Sequence, residues 1–179
     1  MAKIHETVYH GKRFNVDRIS GIDSHGREHI REVLRHPGAV VLLPLLDDNH
    51  VVLIRNFRVA IGKTLLELPA GTVEPNEPHA QTAARELIEE TGYRADKIEL
   101  FHRFYPSPGV MDEQMLLYIA EGLTHGDPAR EAGEEIENQI MSWGEIDSAI
   151  ESGEIVDGKS LVGLLLFQRL RRDRGTHRS

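Results

Sequence analysis

GTVEPNEPHAQTAARELIEETGY, residues Gly71–Tyr93, decides how the rest of this chain is read. It opens with turn formers, Gly71 and then Glu74-Pro75-Asn76. Asn76 is predicted to cap a helix whose first turn holds Glu77 and Pro78, where an acid and a proline both fit. Ala80, Ala83, Ala84 and Leu87 give that helix a small apolar face to bury. Gly92 stands where a C-terminal cap glycine belongs.

The last turn is what folding alone does not ask for. Glu86, Glu89 and Glu90 lie at i, i+3 and i+4, so their carboxylates leave neighbouring positions on one side. Each like-charged pair costs roughly 0.2–0.5 kcal/mol, and the negative end of the helix dipole adds about 0.3–1 kcal/mol per charge. Lys or Arg would be the stabilising choice there; Arg85, four residues before Glu89, gives partial relief. Clustered oxygen ligands suit a hard divalent cation, Mg²⁺ or Mn²⁺. The plain alternative, a solvated acidic helix end, is not excluded by the triplet itself.

The wider spacing carries more. Gly71, five residues, Glu77, seven residues, then Arg85-Glu86-Leu87-x-Glu89-Glu90-x-Gly92-Tyr93 resembles the signature box of the Nudix hydrolases at every fixed position. The resemblance implies a Mg²⁺-dependent hydrolase of a nucleoside diphosphate linked to a further moiety. It implies an α/β fold, the Nudix α/β/α sandwich of mixed sheets, with an N-terminal β extension over residues 1–36 that forms a homodimer. The core domain would be residues 37–179 with a C-terminal helix. On the same ground Glu86, Glu90 and the backbone carbonyl of Ala70 hold metal. Glu89 is a direct or water-mediated ligand, Arg85 orients the glutamates, and Glu77 joins that network or binds another metal.

Bulk properties agree with a single soluble domain. The chain has 179 residues, 40% apolar and 28% charged, enough for a real core. It has no cysteine, hence no disulfide and no thiol nucleophile, which is compatible with a cytoplasmic protein. MAKIHETVYHGKRF has no apolar signal core, and no run approaches the ~18–20 apolar residues of a membrane span. A net charge of −8 argues against general nucleic-acid binding, and it obliges an anionic substrate to find a local basic or metal-rich site.

Upstream of the box, Phe14–Ile22 and Glu28–Leu34 flank the turn Asp23-Ser24-His25-Gly26 and read as a hairpin; His25 and His29 make no zinc site, because Gly26 breaks any helix between them. Ala39–Leu46 is a continuous apolar run, a strand buried on both faces, and after Asp47-Asp48-Asn49 the segment His50–Phe57 reads as its partner. Arg55 and Arg58 near that strand's end are candidate phosphate contacts. Similar enzymes carry Q-x-R or Q-F-R here; this chain has Asn56-Phe57-Arg58, without the Gln, and Arg58 is favoured over Arg55. Glu67 interrupts an apolar stretch, Leu65–Gly71, where a glutamate needs a partner. The resemblance, through E-x-P-A-G, gives it a substrate or arginine contact.

Downstream, Lys97–Tyr105 reads as a strand and Tyr105-Pro106-Ser107-Pro108-Gly109 as a rigid turn. Pro108 lies fifteen residues past Tyr93, and that offset, with Ser107 before it, resembles the ADP-ribose pyrophosphatase branch; Met111 departs from the Thr or Ser of many relatives. Gln114–Gly122 is a further strand, and Gly122–Glu137 a polar stretch with Glu131, Glu134, Glu135 and Glu137. The resemblance puts a catalytic carboxylate on this loop, just before the strand Asn138–Trp143; Glu137 is preferred, with Glu135 and Glu134 as alternatives. Glu145–Ser152 is predicted as a short helix. Ser160 is expected to cap a last helix through Arg171, buried from Leu161 to Phe167, with a basic end that complements the helix dipole.

Three readings stand at this point: hydrolysis of ADP-ribose to AMP and ribose 5-phosphate, hydrolysis of a related nucleotide sugar such as GDP-mannose, and a non-catalytic ligand-binding module. The intact carboxylates count against the third.

Overall fold

The computed structural model describes residues 4–126 and 136–176. They run β1 (Ile4–His10), β2 (Asn15–Ile22), β3 (Glu28–Arg35), β4 (Ala39–Pro44), β5 (His50–Arg58), β6 (Lys63–Glu67), β7 (Ala70–Thr72), α1 (His79–Thr91), β8 (Tyr93–Phe104), β9 (Met115–His125), β10 (Ile136–Ser142), α2 (Trp143–Glu151) and α3 (Gly158–Thr176). The strands make three sheets, ordered β1-β2-β3, β10-β5-β6 and β7-β4-β9-β8.

The apolar run does what its composition dictates. All six residues of β4 are buried, and alternate side chains enter two separate cores. Val40 and Leu42, with Val52, Leu116 and Tyr118, pack under Ala83 and Leu87 of α1. Val41 and Leu43, with Val51, Leu53 and Leu66, pack under Trp143 and Ile146 of α2 and Leu164 and Phe167 of α3. Helices therefore cover both sides of the strands, the expected α/β/α sandwich of mixed sheets. The β4–β9 pair is parallel and β8–β9 antiparallel. On α3, a β-carbon at Gly163 would lie 2.8 Å from Leu68 Cδ1, so glycine lets this helix sit directly on the strands.

β5 is not the sheet neighbour of β4. The turn Asp47-Asp48-Asn49 leaves a single bridge, Leu45 to Val51, before the chain passes into the other sheet. There β5 pairs β6 and β10, while β4 pairs β7 and β9.

The N-terminal strands form the antiparallel meander expected of the hairpin plus one further strand. Asp23 accepts from the amides of His25 and Arg27 and closes the β2–β3 turn. None of this sheet's residues whose burial is described belongs to either core. It is held to the body where Leu34 bonds Val110 and Asp112 through the backbone and Arg35 pairs Asp112 at 2.9 Å.

Four local expectations are corrected. Asn76 does not cap α1; its φ of +65° places it in a left-handed turn, and the helix starts after Pro78 without a side-chain cap. Ala80 is exposed, and the buried face is Thr82, Ala83, Glu86, Leu87, Glu90 and Thr91. Asp157, not Ser160, caps α3, its Oδ2 accepting from the Ser160 amide at 3.0 Å. Leu165, within the stretch expected to be buried, is 49% exposed. The expected Gly92 cap holds: its φ is +77° and its amide bonds Ile88 O. No helix among the described residues is long and apolar enough to cross a membrane.

Candidate active site

The buried face of α1 carries two acids, and the backbone in front of them explains why. The strap Glu67–Gly71 passes between three elements, and each polar group finds a different one. The Leu68 amide donates to Ser160 Oγ of α3 at 2.7 Å. The Pro69 carbonyl accepts from the Leu42 amide of β4 at 2.8 Å. The Ala70 amide donates to Glu90 Oε2 at 2.8 Å. One residue on, Gly71 lies so close to Glu86 that an added β-carbon would stand 1.8 Å from its carboxyl carbon. The box glycine is thus a steric requirement of the box glutamate.

Arg85 ties the acids together. Its Nη1 donates to Glu86 Oε1 at 2.8 Å and to Glu89 Oε2 at 2.7 Å. Its Nε and Nη2 reach the two oxygens of Glu77 at 3.1 Å each, and Thr82 Oγ1 donates to Glu77 as well, at 2.8 Å. The hydrogen bond from Arg85 holds the Glu77 carboxyl below its usual range, against a smaller opposing effect of burial. Glu77, above all, raises Arg85 further, despite the penalty of burial. Glu90 goes the other way. Burial pushes its pKa from 4.5 to about 8, the Ala70 amide opposes, and the charge of Glu86 adds to the rise.

Among the described residues no group of three or more His, Cys, Asp and Glu side chains is drawn tightly enough to cage an ion; Arg85 supplies the countercharge, taking one oxygen each from Glu86 and Glu89. The donor chemistry nonetheless fits a hard divalent cation. The groups are all oxygen, and two of them, Glu86 and Glu90, are buried side by side where added positive charge is favourable. Burial disfavours the charged form of Glu90, a cost that a bound cation would offset.

Beside the strap lies a cavity of about 370 Å³, lined by Arg58, Ala70, Gly71, Glu113, Asp157 and Lys159 among others. Arg58 Nε donates to Glu67 Oε2 at 3.2 Å, and Nη2 stands 2.6 Å from Oε1. That second approach is not aligned as a hydrogen bond, so Oε1 accepts none among the described residues. Glu67 is 0% exposed and makes the arginine contact, not a solvent-facing one. Lys159 Nζ reaches Glu67 Oε2 at 2.8 Å and Asp157 Oδ2 at 2.9 Å. Burial alone would raise Asp157, but the Lys159 charge and the hydrogen bonds of Ser160 and Lys159 hold it below its usual value.

The sequence candidates divide. Glu77, Arg85, Glu86, Glu89, Glu90, Ala70, Arg58 and Glu67 come together. Arg55 does not join them; its Nε bonds Gln139 Oε1 and its Nη2 bonds Glu154 Oε1, both at 2.6 Å. Ser107 and Pro108 are exposed on their loop, whose far end brings Glu113 to the cavity, 3.3 Å from His36 Nδ1. Glu137 is exposed and opposite Arg55 in the ladder. Alternation along β10 puts it on the face of Gln139 and Met141, which packs toward α2 and α3. The intervening Asn138 points the other way, its Nδ2 donating to Thr91 O at the end of α1. Glu137 therefore faces away from the acids of α1. Glu131, Glu134 and Glu135 lie outside the described residues. Lys159, Asp157, His36 and Glu113 were not singled out for the site by sequence.

Comparison with known proteins follows the same lines. A NUDIX domain model matches residues 34–161. Over 145 residues the chain is 36% identical to an ADP-ribose pyrophosphatase of Bacillus subtilis, covering 80% of this chain and 78% of that protein. It is 39% identical over 153 residues to a GDP-mannose pyrophosphatase of Cronobacter sakazakii, covering 79% and 78%. The fold superposes on a crystal structure of an ADP compounds hydrolase with a TM-score of 0.84 and 21% identity, over 98% of this chain and 97% of the other.

Proposed function

This chain belongs to the NUDIX family, and from that premise we propose that it is a pyrophosphatase cleaving ADP-ribose to AMP and ribose 5-phosphate. The observation that carries the reading is the packing of Glu86 and Glu90 against Ala70 and Gly71 with Arg85 across the acids. A fold without this chemistry would not bury two acids at the negative end of a helix. Support for the substrate comes from the Bacillus relative and from Ser107-Pro108 at its offset from the box.

The carboxylates of Glu86, Glu89 and Glu90, with the Ala70 carbonyl, would hold Mg²⁺, or Mn²⁺ in its place. When bound, such an ion neutralises diphosphate charge and lowers the pKa of a water. The chain's own residues do the rest. Arg58 offers a guanidinium to the diphosphate at the cavity wall. Arg85 keeps Glu86 and Glu89 in one orientation. Water adds to one phosphorus, the anhydride P–O bond breaks, and the proton of the water passes to a carboxylate. Glu137 stands on β10 facing away from the acids of α1, and for that role we propose Glu135, one of the alternatives read from the sequence.

The GDP-mannose reading keeps a place because the Cronobacter relative is 39% identical over a comparable share of the chain. Wild-type enzyme with Mg²⁺ is offered ADP-ribose and GDP-mannose in parallel, and the products are separated. AMP with ribose 5-phosphate as the faster reaction supports the proposal; GMP as the faster product, or no release of either, sinks it.

We also propose a homodimer through the N-terminal sheet. Tyr9, Ile22 and Ile30 are exposed on it and Phe14 in the turn between β1 and β2, and a second copy would cover apolar surface that the body leaves bare. A monomer by sedimentation at micromolar concentration would exclude this.

A further inference from the structure

Lys159 is the buried cation that the chemistry above does not use. It is 7% exposed, lines the cavity, and comes from the first turn of a helix on the far side of the strands. Lysine is rarely buried without a paired anion. Here it has two, Glu67 and Asp157. Glu67 in turn is shared: Arg58 approaches both of its oxygens while Lys159 takes Oε2. Arg58 is 38% exposed at its side chain, so part of its guanidinium is turned to the cavity and part to Glu67.

Two cations and two anions thus balance in one cluster at the cavity wall. Without Lys159 the cluster would carry one net negative charge, with Glu67 fully buried and Arg58 its one ion-pair partner among the described residues. A guanidinium so engaged has less positive potential to offer an incoming anion, and low-dielectric surroundings enlarge the effect. The same ammonium holds Asp157, whose Oδ2 accepts from Ser160 Oγ at 2.6 Å, and that hydroxyl accepts from the Leu68 amide. The cluster is continuous with the strap that faces α1.

We propose that Lys159 is a positioning residue for diphosphate binding: by sharing buried Glu67 it leaves the Arg58 guanidinium available to the substrate. The proposal deepens the pyrophosphatase reading and rests on it for the substrate class. Lys159 acts through Glu67 and Arg58, not by touching the diphosphate.

The test compares wild type, Lys159→Met and Lys159→Met/Glu67→Gln. KM and kcat are measured for ADP-ribose with saturating Mg²⁺, and inorganic pyrophosphate is titrated by calorimetry in EDTA. Lys159→Met is expected to raise KM and weaken pyrophosphate roughly tenfold, with kcat within about threefold. Adding Glu67→Gln removes the anion that needed sharing and returns both constants to near wild type. Unchanged constants in folded Lys159→Met overturn the proposal. So does a double variant no better than the single one, which would mean that Lys159 contacts the ligand itself. Should Lys159→Met not fold, Glu67→Gln alone decides: pyrophosphate binds several-fold more tightly than to wild type, and equal or weaker binding overturns the proposal. The pyrophosphate titration does not depend on which nucleotide is cleaved, so a failure of the ADP-ribose reading is seen separately, in wild-type turnover.

Discussion

A β-carbon on Gly71 would stand 1.8 Å from the carboxyl carbon of Glu86 and 2.0 Å from its Oε1. The atoms met belong to the end of a flexible side chain, not to backbone, so the protein can yield by moving Glu86. Gly71→Ala should therefore fold with little loss of thermal stability and lose turnover by about 10²-fold, the scale of a catalytic group displaced by about 1 Å. Parallel measurement of Tm and kcat checks this; loss of both together would make Gly71 a folding residue.

Glu90 makes stability depend on pH. Its folded pKa, raised by burial from 4.5 to about 8, means that the folded state holds a proton which the unfolded state releases. The contribution of Glu90 to stability is then greatest below 4.5 and is lost as pH rises toward 8, by up to about 1.4 kcal/mol per pH unit. In EDTA, wild-type Tm should decline across this window more steeply than that of Glu90→Gln, and Mg²⁺ should remove the difference. Identical profiles in EDTA would contradict the burial argument.

Glu137 and Glu135 are separable as candidates for the carboxylate that takes the proton. Glu137 shares its face of β10 with Met141 in the core under α2 and α3, and Asn138 takes the face toward α1. Glu137→Gln should keep kcat within about threefold, whereas Glu135→Gln should lower it by about 10²-fold or more, the usual contribution of a general base. Steady-state rates at saturating Mg²⁺ decide; a silent Glu135→Gln rejects the assignment.

What the sequence disclosed depended on how local the physics was. The β4 run is legible because burial on both faces leaves no polar alternation, and the end of α1 because Gly92 adopts the left-handed conformation it is suited to. The start of α1 was misplaced because Asn serves equally as a cap and as a left-handed turn residue, and at Asn76 the turn wins. A short turn after an apolar strand ordinarily signals a hairpin, yet here it changes sheets. Glu67 announced that it needed a partner; nothing near it in the chain could say that the partner includes Lys159, 92 residues on. The facing of Glu137 is set by its register with β5, a tertiary fact that its place in the sequence does not carry.

Arg55 and Arg58 lie three residues apart on β5 and should separate stability from binding. Arg55 clamps β5 to Gln139 of β10 and to Glu154 beyond α2. Its side chain is 37% exposed and the pair is partly screened, so Arg55→Ala should cost about 1 kcal/mol of stability and leave KM for ADP-ribose unchanged. Arg58 stands at the cavity with a fully buried anion behind it. Arg58→Ala should raise KM at least about tenfold through the lost diphosphate contact. Glu67 keeps Lys159, so the protein should still fold, with about 1–3 kcal/mol lost from the unpaired oxygen. Denaturant melts and KM measured on both variants test the contrast. A KM defect in Arg55→Ala matching that in Arg58→Ala would mean that the diphosphate lies across β5 and not in the cavity beside Gly71.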